Sequence, residues 1–171
     1  MKKAILFLLL FLIISAAVYN LYPEKKLPAN TKIDYIIVKK SDRKLLAYSE
    51  QKLVKTYQIS LGDSPIGHKA YEGDEKTPEG VYTISAKNPN SGYHKNLGVS
   101  YPNAKDIAKA KLLGKDPGGD IKIHGLRNGL GFIGKFQRFF DWTNGCMALT
   151  DSEVDELYTS VKTGTRIDIR P

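Results

Sequence analysis

The stretch Ile121–Tyr158, "IKIHGLRNGLGFIGKFQRFFDWTNGCMALTDSEVDELY", holds the change of pattern on which the fold turns. With Asp120 before it, "DIKIHG" reads as a short buried strand that ends at His124 and is followed by Gly125. A long glycine-bearing connection leads to the tight turn Thr143-Asn144-Gly145-Cys146. Beyond it, Thr150 and Glu153 form a capping-box pair, and Val154, Leu157, Tyr158 and Val161 share one face of the helix they open. A strand end, a tight turn and a helix start are thus placed close together by one excursion of the chain.

Working outward, "IDYIIVKK", "KLLAYSE" and "LVKTYQISLG" are β-branched and aromatic runs separated by turns at Ser41–Asp42 and Glu50–Gln51, the spacing of a meander. A long loop, "GDSPIGHKAYEGDEKTPEG", precedes a strand at "VYTIS"; a second loop, "NPNSGYH", precedes one near "LGVSY". Loops of that length in a compact domain usually serve function. "PNAKDIAKAKLLG" predicts a helix with Asn103 as N-cap, Asp106 three residues on and Gly114 as its stop. After a turn at Thr163–Gly164 the chain closes with the strand "RIDIR". The expectation is a mainly β domain, barrel-like or sandwich-like, with two short helices.

With 171 residues the chain suits one core and one domain. At the N-terminus, Lys2 and Lys3 precede an apolar run from Ala4 to Ile14, then Ser15, Ala16 and Ala17, with Tyr19 and Tyr22 flanking. Residues 1–22 therefore read as a secretory signal or a retained membrane anchor, 23–32 as a linker and 33–171 as the exported domain. In both cases the positive end stays in the cytoplasm. The remainder works in the periplasm or on the outer face of the cytoplasmic membrane.

Charge supports that placement without naming a partner. The net +8 is spread along the chain, with no block dense enough for nucleic acid, and suits an anionic polymer or a membrane face. Cys146 is the single cysteine, so no internal disulfide forms. An unpaired thiol is most often a small buried hydrophobe. As a nucleophile it needs a base nearby, and His124, 146 − 124 = 22 positions upstream at a strand end, is the best placed of three histidines. Gly145 permits a sharp turn and frees the amides of Gly145 and Cys146 to face an oxyanion.

His124-Gly125 followed by Thr143-Asn144-Gly145-Cys146 resembles the catalytic segment of the L,D-transpeptidase family, the YkuD-type domain. Thr77, Pro78 and Gly80 look like its upstream Thr-Pro-x-Gly stretch, and the likeness runs from about Ile33 to Pro171. The resemblance implies a cysteine acyl-transferase acting on peptidoglycan stem peptides, with Cys146 as nucleophile, His124 as general base and the Gly145 and Cys146 amides as oxyanion donors. It implies no cofactor. An L,D-peptide hydrolase and a non-catalytic peptidoglycan-binding module remain open. The chain has Asn144 where many members have His, Ala148 where many have Arg or Asn, and a longer His-to-Cys interval containing "GKFQRFFDW".

Substrate-binding candidates are His68 in the long loop, Thr143 and Asn144 at the turn, and Arg127 and Arg138 for stem-peptide carboxylates. His94 reads as a surface residue and Trp142 as packing beside the turn. No pair among the histidines and Cys146 has the short spacing of zinc ligands. A papain-like protease would place its cysteine before its histidine. "GLRNGLG" lacks the following helix that dinucleotide binding needs. Oligomeric state leaves no mark.

Overall fold

A computed structural model describes residues 1–171. The elements in chain order are α1 (Lys2–Leu21), β1 (Ile33–Lys39), β2 (Lys44–Ser49), β3 (Lys52–Gln58), β4 (Gly80–Ser91), β5 (His94–Val99), α2 (Ala104–Leu112), β6 (Lys122–His124), a 3-10 segment (Gly131–Phe139), β7 (Met147–Ala148), α3 (Asp151–Ser160) and β8 (Val161–Arg170). All eight strands form one sheet in the order β3-β2-β1-β8-β4-β5-β6-β7. It curls into a half-barrel, as the barrel-like or sandwich-like expectation allowed.

The meander β1-β2-β3 pairs antiparallel as its turns require, and β8 then joins β1 in parallel. In β8, Val161, Thr165, Ile167 and Ile169 are buried. Val161, Ile167 and Ile169 meet Ile36, Val38, Leu45, Tyr57, Ile84, Leu97, Ile123 and Leu157 in one core. A bulge at Ser85 lets β4 leave β8 and pair with β5, which curls the sheet. The Thr163–Gly164 turn expected from sequence proves to be an irregularity inside β8, with Gly164 at φ +87°. Likewise "NPNSGYH" is mostly strand: Asn88 faces Asn96 and Ser91 faces His94 across a tight hairpin. Its Asn and Pro residues sit on a solvated ribbon end, where they interrupt little.

Both expected helices form. Asn103 Oδ1 accepts the Lys105 and Asp106 N–H groups (2.8 and 3.2 Å) and Asp106 Oδ2 accepts the Asn103 N–H (2.9 Å), which closes the capping box of α2. At α3, Glu153 Oε2 accepts the Thr150 N–H (3.1 Å) and hydroxyl (2.7 Å), while Val154 and Leu157 enter the core. The 3-10 segment was not expected: Phe132, Ile133, Phe136 and Phe139 do recur at helical spacing, but Gly131 and Gly134 interrupt the run, and it kinks at Gly134 (φ +52°). α1 buries no residue and is long and apolar enough to cross a membrane.

Since β8 bridges the two halves of the sheet, truncating its core is expected to be costly. Ile167→Ala should lower unfolding free energy by about 2–5 kcal/mol in denaturant titrations. Leu53→Ala, on exposed β3, should stay within about 0.5 kcal/mol.

Candidate active site

β6 and β7 are neighbours in parallel register, Ile123 beside Met147 and His124 beside Ala148. This pairing brings the strand-end histidine and the turn before Met147 to the same end of the sheet. His124 and Cys146 both line a cleft of about 540 Å³. The cleft is also walled by Tyr93, Trp142, the Gly118–Lys122 stretch and the Lys69–Glu75 loop.

The Gly-Cys turn is held from below by backbone. Gly145 has φ +119°, and a Cβ there would lie 2.5 Å from the Lys76 carbonyl oxygen. A Cβ on Gly62 would lie 2.0 Å from the Glu75 carbonyl oxygen and 2.9 Å from the Gly145 Cα. Only glycine fits in both places. Thr77 Oγ1 accepts the Gly62 N–H (3.2 Å), and Asp63 N–H donates to the Thr143 carbonyl (2.9 Å). Buried Lys40 fastens the same loop through the Thr77 carbonyl (2.9 Å), the Gly67 carbonyl (2.5 Å) and Glu79 (2.8 Å). The upstream Thr-Pro-x-Gly stretch therefore buttresses the turn that presents the thiol. On the other flank, Asp141 accepts the Leu61 N–H (2.9 Å) and pairs with Arg43 (2.7 Å).

Within the turn, Thr143 Oγ1 accepts the Gly145 N–H at 3.2 Å and its hydroxyl donates to the Cys146 carbonyl at 2.8 Å. Gly145 N–H is thus engaged inside the turn and is not a free oxyanion donor, while Thr143, which also lines the cleft, spends its hydroxyl on fixing the turn. The Cys146 N–H makes no hydrogen bond within the protein and remains available.

His124 Nδ1 lies 2.7 Å from the Gly125 carbonyl oxygen, a contact that requires Nδ1–H to donate. The lone pair is therefore on Nε2. Tyr93 packs 4.9 Å from the imidazole and Trp142 meets it edge-on at 5.7 Å, which locks the ring plane. Burial pushes the His124 pKa below the ordinary value, opposed by the Gly125 hydrogen bond. Burial likewise pushes the Cys146 thiol up, against the lowering influence of Lys122. The resting pair is neutral thiol and neutral imidazole, and the thiol donates weakly to the Asp120 carbonyl at 3.6 Å.

The L,D-transpeptidase catalytic domain (YkuD) family model matches residues 33–169, nearly all of the chain beyond α1 and its linker. The chain belongs to this family. "Putative L,D-transpeptidase YafK" of Escherichia coli (strain K12) is 29% identical over 133 residues, 74% of this chain and 46% of YafK. "Putative L,D-transpeptidase YqjB" of Bacillus subtilis (strain 168) is 27% identical over 136 residues, 78% of this chain and 69% of YqjB. The crystal structure of the helical cell shape determining protein Pgp2 from Campylobacter jejuni matches with TM-score 0.59 and 26% identity, over 86% of this chain and 52% of Pgp2. The chain thus spans about half the length of YafK and Pgp2.

In this L,D-transpeptidase-family domain the remaining candidates fare differently. Asn144 is exposed at the cleft wall. His68 faces away: its Nδ1 accepts the Glu79 N–H (3.0 Å) and its Nε2 lies 3.2 Å from Asp106. Arg138 is committed to Glu153 (2.8 Å) and Glu24 (2.9 Å), and Arg127 is exposed outside the cleft. Neither arginine is part of the cleft lining. His94, expected at the surface, is half-buried against Asp155 at 2.9 Å. Sequence reasoning missed the cleft's acidic side. Lys69 and Lys122 are neutralised by Asp74 (2.9 Å) and Asp120 (2.6 Å), whereas exposed Glu72 and Glu75 have no cationic partner. The signal was present in "YEGDEK", hidden by the positive net charge.

Two outcomes follow from this geometry. Alkylation of Cys146 by iodoacetamide should accelerate with pH with a midpoint above that of an unperturbed cysteine thiol, because a raised thiol pKa leaves little thiolate at neutrality. Thr143→Val, which removes both turn hydrogen bonds, should cost about 1–3 kcal/mol in thermal or denaturant unfolding while Thr143→Ser retains most of the stability.

Proposed function

We propose that the protein is an exported cysteine acyl-transferase acting on peptidoglycan stem peptides. The observation that carries this reading is the shared cleft of His124 and Cys146, with the imidazole lone pair on Nε2 and an unpaired amide at Cys146. The Cys146 thiol gives its proton to His124 Nε2 as sulfur attacks the carbonyl before the terminal D-alanine. The oxyanion takes the Cys146 N–H. Collapse breaks the peptide bond, the departing amine receives the proton from His124, and a thioester remains on Cys146. An acceptor amine, deprotonated by His124, then attacks the thioester, forms the new amide and returns the thiol.

Keeping both groups neutral at rest suits this scheme, since the proton then moves as sulfur attacks. Glu72 and Glu75 support an amine acceptor, because carboxylates at the cleft mouth attract a protonated amine before it reacts. α1 supports export and attachment to the cytoplasmic membrane, with the cleft on the cell-wall side. Pgp2 is named for helical cell shape, and a role in wall architecture is proposed here by that likeness.

The test is incubation of the full chain and its Cys146→Ala form with purified tetrapeptide muropeptides, read by mass spectrometry. Cross-linked dimers formed only by the native protein are the expected result. Loss of D-alanine or cut links without new ones would make it a hydrolase, and unchanged substrate with retained binding would make it a binding module. With activity in hand, the acid limb of kcat/KM should lie below the pH at which an unperturbed histidine titrates, since His124 must be neutral and burial lowers its pKa.

A further inference from the structure

The 3-10 segment Gly131–Phe139 is fastened to the end of α1. Asn20, on the last turn of α1, donates from Nδ2 to the Phe132 carbonyl at 3.1 Å and accepts the Lys135 N–H at 2.7 Å. Lys135 Nζ reaches the Tyr22 carbonyl at 2.6 Å, and Arg138 ties Glu24 to Glu153. Tyr19 stacks on Phe139 with ring centroids 5.6 Å apart. Gly134 allows the approach: it has φ +52°, and a Cβ there would stand 2.5 Å from Asn20 Oδ1. Asn20 and Phe132 are 112 positions apart in sequence, so this clamp is a tertiary feature.

The clamped segment carries side chains that water does not favour. Phe132, Phe139 and Phe140 are 75%, 62% and 72% exposed. Apolar rings left in water forgo the stabilisation that an apolar medium would give them. α1 identifies the apolar medium that would cover them. Its 20 residues, none buried, give a length of about 30 Å, the thickness of a bilayer's hydrocarbon core. Lys2 and Lys3 mark the cytoplasmic end, and Tyr19 and Tyr22 mark the level of the opposite interface. The clamp to Asn20 and Tyr22 fixes the phenylalanines at that same level. Exposed Lys25 and Lys26 follow immediately, where they meet anionic headgroups.

We propose that α1 is a retained anchor and that Phe132, Phe139 and Phe140 form an interfacial foot that seats the domain on the outer leaflet, the occupant of the patch being lipid. The inference rests on α1 spanning the bilayer. The foot is also coupled to the candidate site. Gln137 in the same segment accepts the Trp142 Nε1–H at 3.1 Å and the Ser60 hydroxyl at 2.7 Å, and Trp142 lines the cleft. The cleft is thereby held at a set height above the membrane, within reach of wall strands next to it.

The test uses full-length chain in phosphatidylcholine–phosphatidylglycerol vesicles, with and without brominated acyl chains, the bromines placed mid-chain in one set to report on position 11 and near the headgroup in another to report on positions 132 and 140. Tryptophan emission is read for the parent, whose only tryptophan is Trp142, and for Phe11→Trp, Phe132→Trp, Phe140→Trp and Leu53→Trp. Bromolipid quenching beyond the parent is expected at positions 11, 132 and 140 and not at 53. Quenching at 11 with none at 132 or 140 overturns the foot and leaves the anchor standing. No quenching at any position overturns both. A blue shift at 132 and 140 without quenching, as burial against a second copy would give, also overturns the lipid assignment, as does equal quenching at 53.

Discussion

Gly62 packed against Gly145 is the contact on which the candidate site depends. Two backbones and the Glu75 and Lys76 carbonyls meet where no Cβ fits, and this closeness lets the 60–79 loop support the Gly-Cys turn from beneath. Thr77 secures Gly62 through its hydroxyl, Lys40 secures Thr77 through its carbonyl, and Asp63 secures Thr143. The buried ammonium of Lys40 is tolerated because two carbonyls and Glu79 replace its water. Its pKa is nevertheless pushed down by burial, with Glu79 opposing.

From that support the chemistry of the cleft follows by simple constraints. A parallel pairing of two short strands, β6 and β7, sets His124 beside the turn. The Gly125 carbonyl selects the imidazole tautomer, and the Tyr93 and Trp142 rings hold its plane. Burial then keeps both candidate reactive groups uncharged. Thr143 serves the turn itself. Its hydroxyl bridges Gly145 and Cys146, which leaves the Cys146 amide as the unpaired donor of the turn.

Much of this was legible in the residues. The meander, the strand ending at His124, the caps of α2 and α3 and the apolar leader all announce themselves through local period or local hydrogen-bonding chemistry, which depends only on near neighbours. The Gly-Cys turn and the Thr-Pro-x-Gly stretch pointed to the family. Less legible were elements whose shape comes from distant partners: the Asn88–His94 hairpin, the bulge within β8 and the 3-10 segment. Each contains glycine, proline or asparagine, residues that permit many backbones and specify none until another part of the chain selects one.

Sequence alone determined the class of fold, the family, the unpaired thiol and its nearest plausible base, because those are carried by residue identity and short-range spacing. Only the tertiary structure decided the use of each polar group. Arg138 and His68 looked free to bind ligands until their partners, Glu24, Glu153, Glu79 and Asp106, came from remote segments. Glu72 and Glu75 did not stand out in sequence, and only the fold sets them along the cleft. Hydrogen-bond partners and ion pairs are saturable and act over a few ångströms, so their allocation follows from which distant segments meet.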